Sequence, residues 1–421
     1  MKTIYLFVSL LYTYGAFAQT DTLRLSLPQA QQQFTNRNLL LLAQRYNIEA
    51  AKAQIIQAGL LPNPNVAIKQ SLMTQSVPVG DMNVGPLGQH SLDFQQLILL
   101  AGKRNKNIRL AQINAELSEY SFYDLLRTLT YSLNQNFYDL AFQLHTLEVY
   151  QQEIQTISKL VTAYKELYKN GNAPLKDVAR LESFQFNLEG DKNNLELAIA
   201  QNQGELRTLL GIGSNQYIVP VVAAATLDSL NLKSVTIPDL LKTAQDNRPD
   251  LKLQEGSIRL ASANLALQKA LKVPDLTLGY SYDKAGDYTP HYHALTLQMD
   301  LPFFNKNQGN ILSAKAQVDA NQKTYEQTQL SVDNEILLAY NQAVKTEQLY
   351  RGFDQSFVPI FNQLIQGVVE GYRKNTISLV EFMDFFDSYK QNIEQYNRLQ
   401  NNRAQAYLRL NYVLGKALFN L

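Results

Sequence analysis

The chain has no cysteine and no tryptophan, and its basic and acidic side chains nearly cancel, leaving a formal charge of +1. Without thiols there are no disulfides, no thiolate nucleophile and no cysteine-based metal site. A charge balance this close to neutral, with lysines interleaved with acids, offers no basic stripe for nucleic acid. No P-loop, nucleophile elbow or zincin motif occurs, so no catalytic residue and no cofactor is expected. His291 and His293 share a strand face, yet no cysteine or acid completes a tetrahedral set beside them, and no metal site is expected either. Apolar runs long enough to cross a bilayer as a helix are also missing. The short run from Ile4 to Leu11, preceded by Lys2 and followed by Ala16-Phe17-Ala18, reads as a secretory signal peptide over residues 1–18. No cysteine follows it to carry an N-terminal lipid anchor.

What the chain does have is long helical periodicity. From Gly102 onward, Leu110, Ile113, Leu117, Leu129, Leu133, Phe137, Leu140, Leu144, Ile154, Ile157 and Tyr164 recur in steps of three and four. No proline falls between Gly102 and Ala173, so one helix of roughly 65 residues is allowed. At Asn170-Gly171-Asn172-Ala173-Pro174 the pattern stops. Gly171 suits the left-handed residue that closes a helix, and Pro174 suits the start of the next. The periodicity then resumes from Leu175 to Leu209, which predicts a helical hairpin over residues 102–210.

The same order of elements is used twice. Residues 19–211 are expected to hold a helix from about 27 to 60, capped by Ser26, then strands at about 65–75 and 89–97, then the first hairpin. A linker over 212–237 follows. Residues 238–421 repeat the plan, with strands at about 275–283 and 292–301 and a second hairpin over 306–414. Asn247-Arg248-Pro249 answers Asn36-Arg37-Asn38, and Tyr372, Leu379 and Phe382 answer Tyr168, Leu175 and Val178. In the strands, Leu276, Leu278, Tyr280 and Tyr282 alternate with Thr277, Gly279, Ser281 and Asp283, and Leu295, Leu297 and Met299 alternate with Thr296 and Gln298. One apolar and one polar face over about ten residues is the pattern of a strand between lipid and water. Tyr280, Tyr282, Tyr288 and Tyr292 suit an interfacial aromatic girdle. Four strands cannot close a barrel, so a chain that inserts them must oligomerise.

These features resemble the TolC family of outer-membrane efflux proteins across the whole chain after the leader. The resemblance implies a mainly helical fold with a membrane β portion. It also implies a homotrimer whose protomers share a 12-stranded barrel in outer-membrane lipid and an α-barrel in the periplasm of a Gram-negative bacterium. Its implied partners are a periplasmic adaptor and an inner-membrane pump of the RND type. The most specific match is at the hairpin turns, where the family has an aromatic residue, a Val-Gly pair a few positions on and a carboxylate six positions beyond that Gly. The first turn supplies Tyr168, Gly171 and Asp177 and lacks only the Val. The second supplies Tyr372, Asn375, Glu381 and Asp384, with Asn in place of Gly. The resemblance implies adaptor docking at Asn170, Gly171, Asn172, Ala173, Lys374, Asn375 and Thr376, and a periplasmic gate at Glu381, Asp384 and Asp177. Acids at a helix start also complement its dipole, and that reading stays open here. The stretch from Asn172 to Arg180 is most similar to the heavy-metal branch, the CzcC and CusC type. Export of drugs or other small molecules, an autonomous pore, and a periplasmic coiled-coil scaffold are the competing readings.

Overall fold

The computed structural model describes residues 21–70, 90–222, 230–232, 235–285, 290–353, 357–374 and 376–421. The expected signal peptide, the end of the first strand at 71–75, Tyr288 and Asn375 lie outside them. The chain forms two units.

The first unit comprises Met1–Leu39, Arg127–Leu241 and Ile336–Leu421. It begins with β1 (Asp21–Ser26) and α1 (Leu27–Arg37). Ser26 is the N-cap, as expected, and its backbone N–H donates to Gln29 Oε1 at 2.9 Å, while Pro28 fills the first turn. The expected single helix over 27–60 is broken at Asn38, which takes an extended backbone (φ −65°, ψ 119°) before α2 (Leu39–Gly59). Asn38 is buried there because its side-chain amide donates to the Leu209 carbonyl at 3.0 Å, capping the end of another helix.

The helix predicted from Gly102 is present without interruption as α3 (Lys103–Lys169). Its partner α4 (Leu175–Leu210) stops at Gly211, which adopts φ +62°. A Cβ at Gly211 would lie 2.6 Å from the Arg37 carbonyl oxygen, so both the turn and the close approach require glycine. The linker expected over 212–237 carries a strand, β4 (Gln216–Val221), which pairs in parallel with β1. Gln203 fixes it by donating to the Ile218 carbonyl at 2.7 Å and accepting from the Ile218 amide at 3.0 Å.

The second repeat begins with α5 (Ile237–Asn247) and α6 (Pro249–Leu271). Arg248 breaks them with a backbone (φ −71°, ψ 120°) like that of Asn38. The two breaks match each other, so the repeat is one residue out from the alignment that set Arg248 on Arg37. The second hairpin also departs from expectation. Its first arm is two helices, α7 (Gln308–Gly352) and α8 (Phe357–Arg373), ahead of α9 (Leu379–Leu414). Pro359 stands just beyond the break, and a proline has no N–H to continue a helical ladder.

A ladder of amides sets the register of α3 against α9. Asn401 and Gln405 donate to Asp139 Oδ1 at 2.6 and 2.9 Å, and Asn397 donates to Thr146 Oγ1 at 3.2 Å. Such bonds cannot be satisfied after a one-turn slip, so the abundant Asn and Gln specify alignment where leucines alone would not.

The second unit comprises Leu40–Leu126 and Lys242–Glu335. Its centre is an antiparallel sheet in the order β2 (Asn65–Gln70), β3 (His90–Ile98), β5 (Leu276–Ala285), β6 (Pro290–Met299). The register places Phe94 beside Tyr280 and Tyr280 beside Leu295, so Ile68, Leu92, Phe94, Leu278, Tyr280, Leu295 and Leu297 share one face. That face is open: Ile68 is 78% exposed, Leu295 89% and Leu297 70%. On the other face Asp93 accepts from Lys69 at 2.9 Å and from Ser281 at 2.6 Å.

Candidate functional site: the hairpin turns and the open sheet

The two turns are built alike. At the first, Asn170 N–H donates to Glu166 at 3.1 Å and Asn172 N–H to Leu167 at 2.8 Å. At the second, Lys374 N–H donates to Glu370 at 3.0 Å and Thr376 N–H to Gly371 at 2.9 Å. Every donor and acceptor is displaced by the spacing that sets Tyr168 on Tyr372, so the repeat holds at the level of single hydrogen bonds. The bond spanning five residues is the Schellman closure of a helix. Gly171 supplies its left-handed residue at φ +76°, and no atom stands within 4 Å of a Cβ built there.

The turns differ in what lies under them. Tyr168 and Leu175 are exposed, whereas Tyr372 and Leu379 are buried. Tyr372 stacks on Phe382 at 4.6 Å between ring centroids and on Tyr164 at 6.0 Å, and Phe382 continues to Phe386 at 5.4 Å. Burial pushes the Tyr372 hydroxyl far above the usual tyrosine range. This aromatic column, with Ile157, Val161, Leu181 and Leu188 around it, is the core from which both turns project. Asn170, Gly171, Asn172, Lys374 and Thr376 are all exposed, and Ala173 is half-buried.

The three expected gate carboxylates fall in different settings. Glu381 forms a capping box with Ser378: its carboxylate accepts from the Ser378 N–H at 2.9 Å, and its own N–H donates to Ser378 Oγ at 3.2 Å. The backbone and side-chain hydrogen bonds from Ser378 hold its carboxyl below the usual glutamate range. Asp384, exposed one turn further on, lines a surface groove with Arg180, Asp191, Asp387 and Lys390. Asp177 sits in the first turn of α4, where it complements the helix dipole. Glu381 and Asp177 thus satisfy the helix-start reading, while Asp384 lies beyond the first turn.

On the sheet, Tyr280 and Tyr282 hydrogen-bond His293 and His291 at 2.6 and 2.9 Å. Among the described residues no group of three His, Asp or Glu side chains is placed to hold a metal ion. Two features were missed from sequence. Glu153 lies buried on α3, and its spacing from Tyr150 and Ile157, on the buried helix face, was the available signal. Arg403, also buried, pairs with Glu347 at 2.7 Å.

The model of the outer membrane efflux protein family matches residues 30–212 and 240–416, one stretch for each repeat. The chain belongs to the outer membrane efflux protein family. It is 20% identical to the cobalt-zinc-cadmium resistance protein CzcC of Cupriavidus metallidurans, over 93% of this chain and 90% of that one. It is 25% identical to the pyoverdine export outer membrane protein OpmQ of Pseudomonas putida, over 65% of this chain and 58% of that protein. Among solved structures, CusC superposes with a TM-score of 0.74 at 16% identity, covering 93% of this chain and 92% of that one. The Campylobacter jejuni CmeC channel superposes with 0.76 at 15% identity, covering 94% and 86%. This efflux protein therefore has the TolC-like channel fold and serves as an outer-membrane efflux duct. Its family and fold are those of channels rather than of enzymes.

Proposed function

We propose that three copies of this chain assemble into one passive exit duct, each lending β2, β3, β5 and β6 to a shared barrel and its hairpins to a periplasmic conduit. The sheet carries this reading. Its apolar face is exposed and its outer strands β2 and β6 are edges among the described residues, so a single copy in lipid would leave unpaired backbone groups at both margins. Pairing β6 of one copy with β2 of the next removes every edge, and three copies of four strands make the twelve that the family resemblance implies. The polar face, with its Lys69–Asp93 pair, then lines water.

The turns at residues 170–173 and 374–376 are the surfaces offered to a periplasmic adaptor, and an inner-membrane pump of the RND type supplies the energy. Glu381, Asp384 and Asp177, present three times around a narrow mouth, concentrate negative potential there and favour cations. Similarity to CzcC favours cobalt, zinc or cadmium as cargo, and similarity to OpmQ supports export of small organic molecules as the second reading. Planar-bilayer recording tests the duct. Purified protein is expected to give discrete cation-preferring conductance, and a preparation that never conducts overturns the reading. Growth of a deletion strain on cobalt, zinc and cadmium tests the cargo, and unchanged tolerance to all three removes the metal assignment.

A further inference from the structure

Glu153, on α3, has both carboxyl oxygens buried and neither receives a hydrogen bond. The residue is only 4% exposed. Beside it opens a groove of about 760 Å³ between α3, α8 and α9. Ile365, Val369 and Ile393 give it apolar walls, and Phe386, Tyr389 and Tyr396 give it aromatic ones.

The charged groups around the groove are committed elsewhere. Lys390 donates to Asp191, and Glu394 accepts from the Tyr150 hydroxyl. Glu370 accepts from Lys374 at 3.2 Å, and Glu148 faces His145 at 3.9 Å. Among the described charged groups lining the groove, Glu153 alone is buried with neither carboxyl oxygen hydrogen-bonded. Burial pushes its carboxyl up to about 8, the Lys390 charge opposing and those of Glu394 and Asp387 assisting. A carboxyl in this position is satisfied by a proton or by a cation brought to it. A metal ion does not fit, because the described residues around Glu153 supply no second and third ligand.

We propose that this groove binds an organic monocation, an ammonium or amidinium on an apolar or aromatic body, with its N–H groups on the Glu153 carboxylate and its body against Phe386 and Tyr389. An amidinium presents a donor fork that matches a carboxylate, and the aromatic walls accept the face of a flat cation. At neutral pH the step is an exchange: the cation enters, the Glu153 carboxyl releases its proton to solvent, and the groove keeps its net charge.

The test uses the full chain in detergent and 4-aminobenzamidine, whose fluorescence rises in apolar surroundings, with neutral 4-aminobenzamide as its uncharged match. Saturable binding is expected, weakened at least ten-fold in Glu153→Gln and within two-fold of wild type in Glu189→Gln, a change at an exposed carboxylate on α4 outside the groove, with no competition from the amide. In weakly buffered solution at pH 7, binding to wild type is expected to release close to one proton per probe, and binding to Glu153→Gln none. Absence of saturable binding, equal binding by Glu153→Gln, equal binding of the amide, or no proton release from wild type each overturns the proposal. The groove is built within one protomer, so a preparation that fails to conduct still reports on it.

Discussion

Arg403→Met is expected to destabilise the protein by about 3 kcal/mol, the lower end of the range for stripping one member from a buried ion pair. The Arg403 side chain is 2% exposed and that of Glu347 is 8% exposed. Nε and Nη2 of Arg403 donate to the two Glu347 carboxylate oxygens at 2.7 and 3.3 Å, and Nη2 also reaches the Leu230 carbonyl at 3.2 Å. The guanidinium lies 4.1 Å from the centre of the Tyr350 ring. Removal leaves Glu347 with Arg351 at 2.7 Å and the Tyr407 hydroxyl at 3.2 Å, which is why the lower end applies. If the 421 residues unfold together, an unfolding entropy of about 0.9 kcal/mol/K turns this loss into a fall in Tm of roughly 3–4 °C.

The double variant Arg403→Met with Glu347→Met is expected to regain at least half of the loss, because no buried charge is then left without its partner. The pH dependence has a definite sign. Burial raises the Glu347 carboxyl, but the hydrogen bonds from Arg403 and Arg351 outweigh it and hold the group below its ordinary range. Its contribution is therefore present above the unfolded value near 4.5 and is lost as pH falls through the folded one, and Arg403→Met reduces that slope, with Arg351 still in place. Circular dichroism during thermal unfolding in detergent, from pH 3 to 7, measures all three. A single variant within about 0.5 kcal/mol of wild type, or a double variant no better than the single, refutes the reasoning.

Four further outcomes are expected. Glu153→Gln stabilises the protein increasingly as pH rises from about 4.5 to 8, by up to about 5 kcal/mol, because the raised folded value makes the wild-type contribution vanish as the buried carboxyl ionises. Parallel wild-type and variant melting curves over that range contradict this. Gly171→Pro loses the N–H that bonds Tyr168 at 2.9 Å and forbids φ +76°, so efflux falls while trimers still form. Normal efflux in that strain refutes a role for the first turn. Glu381→Gln with Asp384→Asn lowers cation preference in single-channel recording. Gln retains the Ser378 cap, so charge alone is altered, and unchanged selectivity removes the gate. Leu297→Arg on the apolar sheet face costs about 2–4 kcal/mol in lipid and blocks insertion, whereas Gln298→Arg on the polar face is tolerated, as heat-modified gel mobility will report.

Much of the fold was legible because its elements are long and regular. The sixty-seven residues of α3 carry so many turns of apolar spacing that isolated lapses do not hide the period. The strands were legible where apolar and polar residues alternate, clearly in β5 and β6 and less so in β2, whose apolar face Gln70 interrupts. The β1–β4 pair was not legible: each strand has six residues, and the pairing joins Asp21 to Gln216 across most of the first repeat. The break at Asn38 depends on a tertiary acceptor, the Leu209 carbonyl, that no local pattern reveals. Pro359 was visible and would have predicted the division of α7 from α8. At the turns, spacing located the carboxylates, but only the structure separates Glu381, bonded to Ser378, from Asp384, which lies beyond the first turn of α9.

The central claim is that copies of this chain complete each other's sheet in a membrane. Native mass spectrometry of protein extracted from outer membranes with detergent tests it most directly. A mass of three chains is expected, with cysteines introduced on β2 and β6 of this cysteine-free sequence crosslinking only between subunits. A monomer recovered in the soluble fraction without detergent would contradict it.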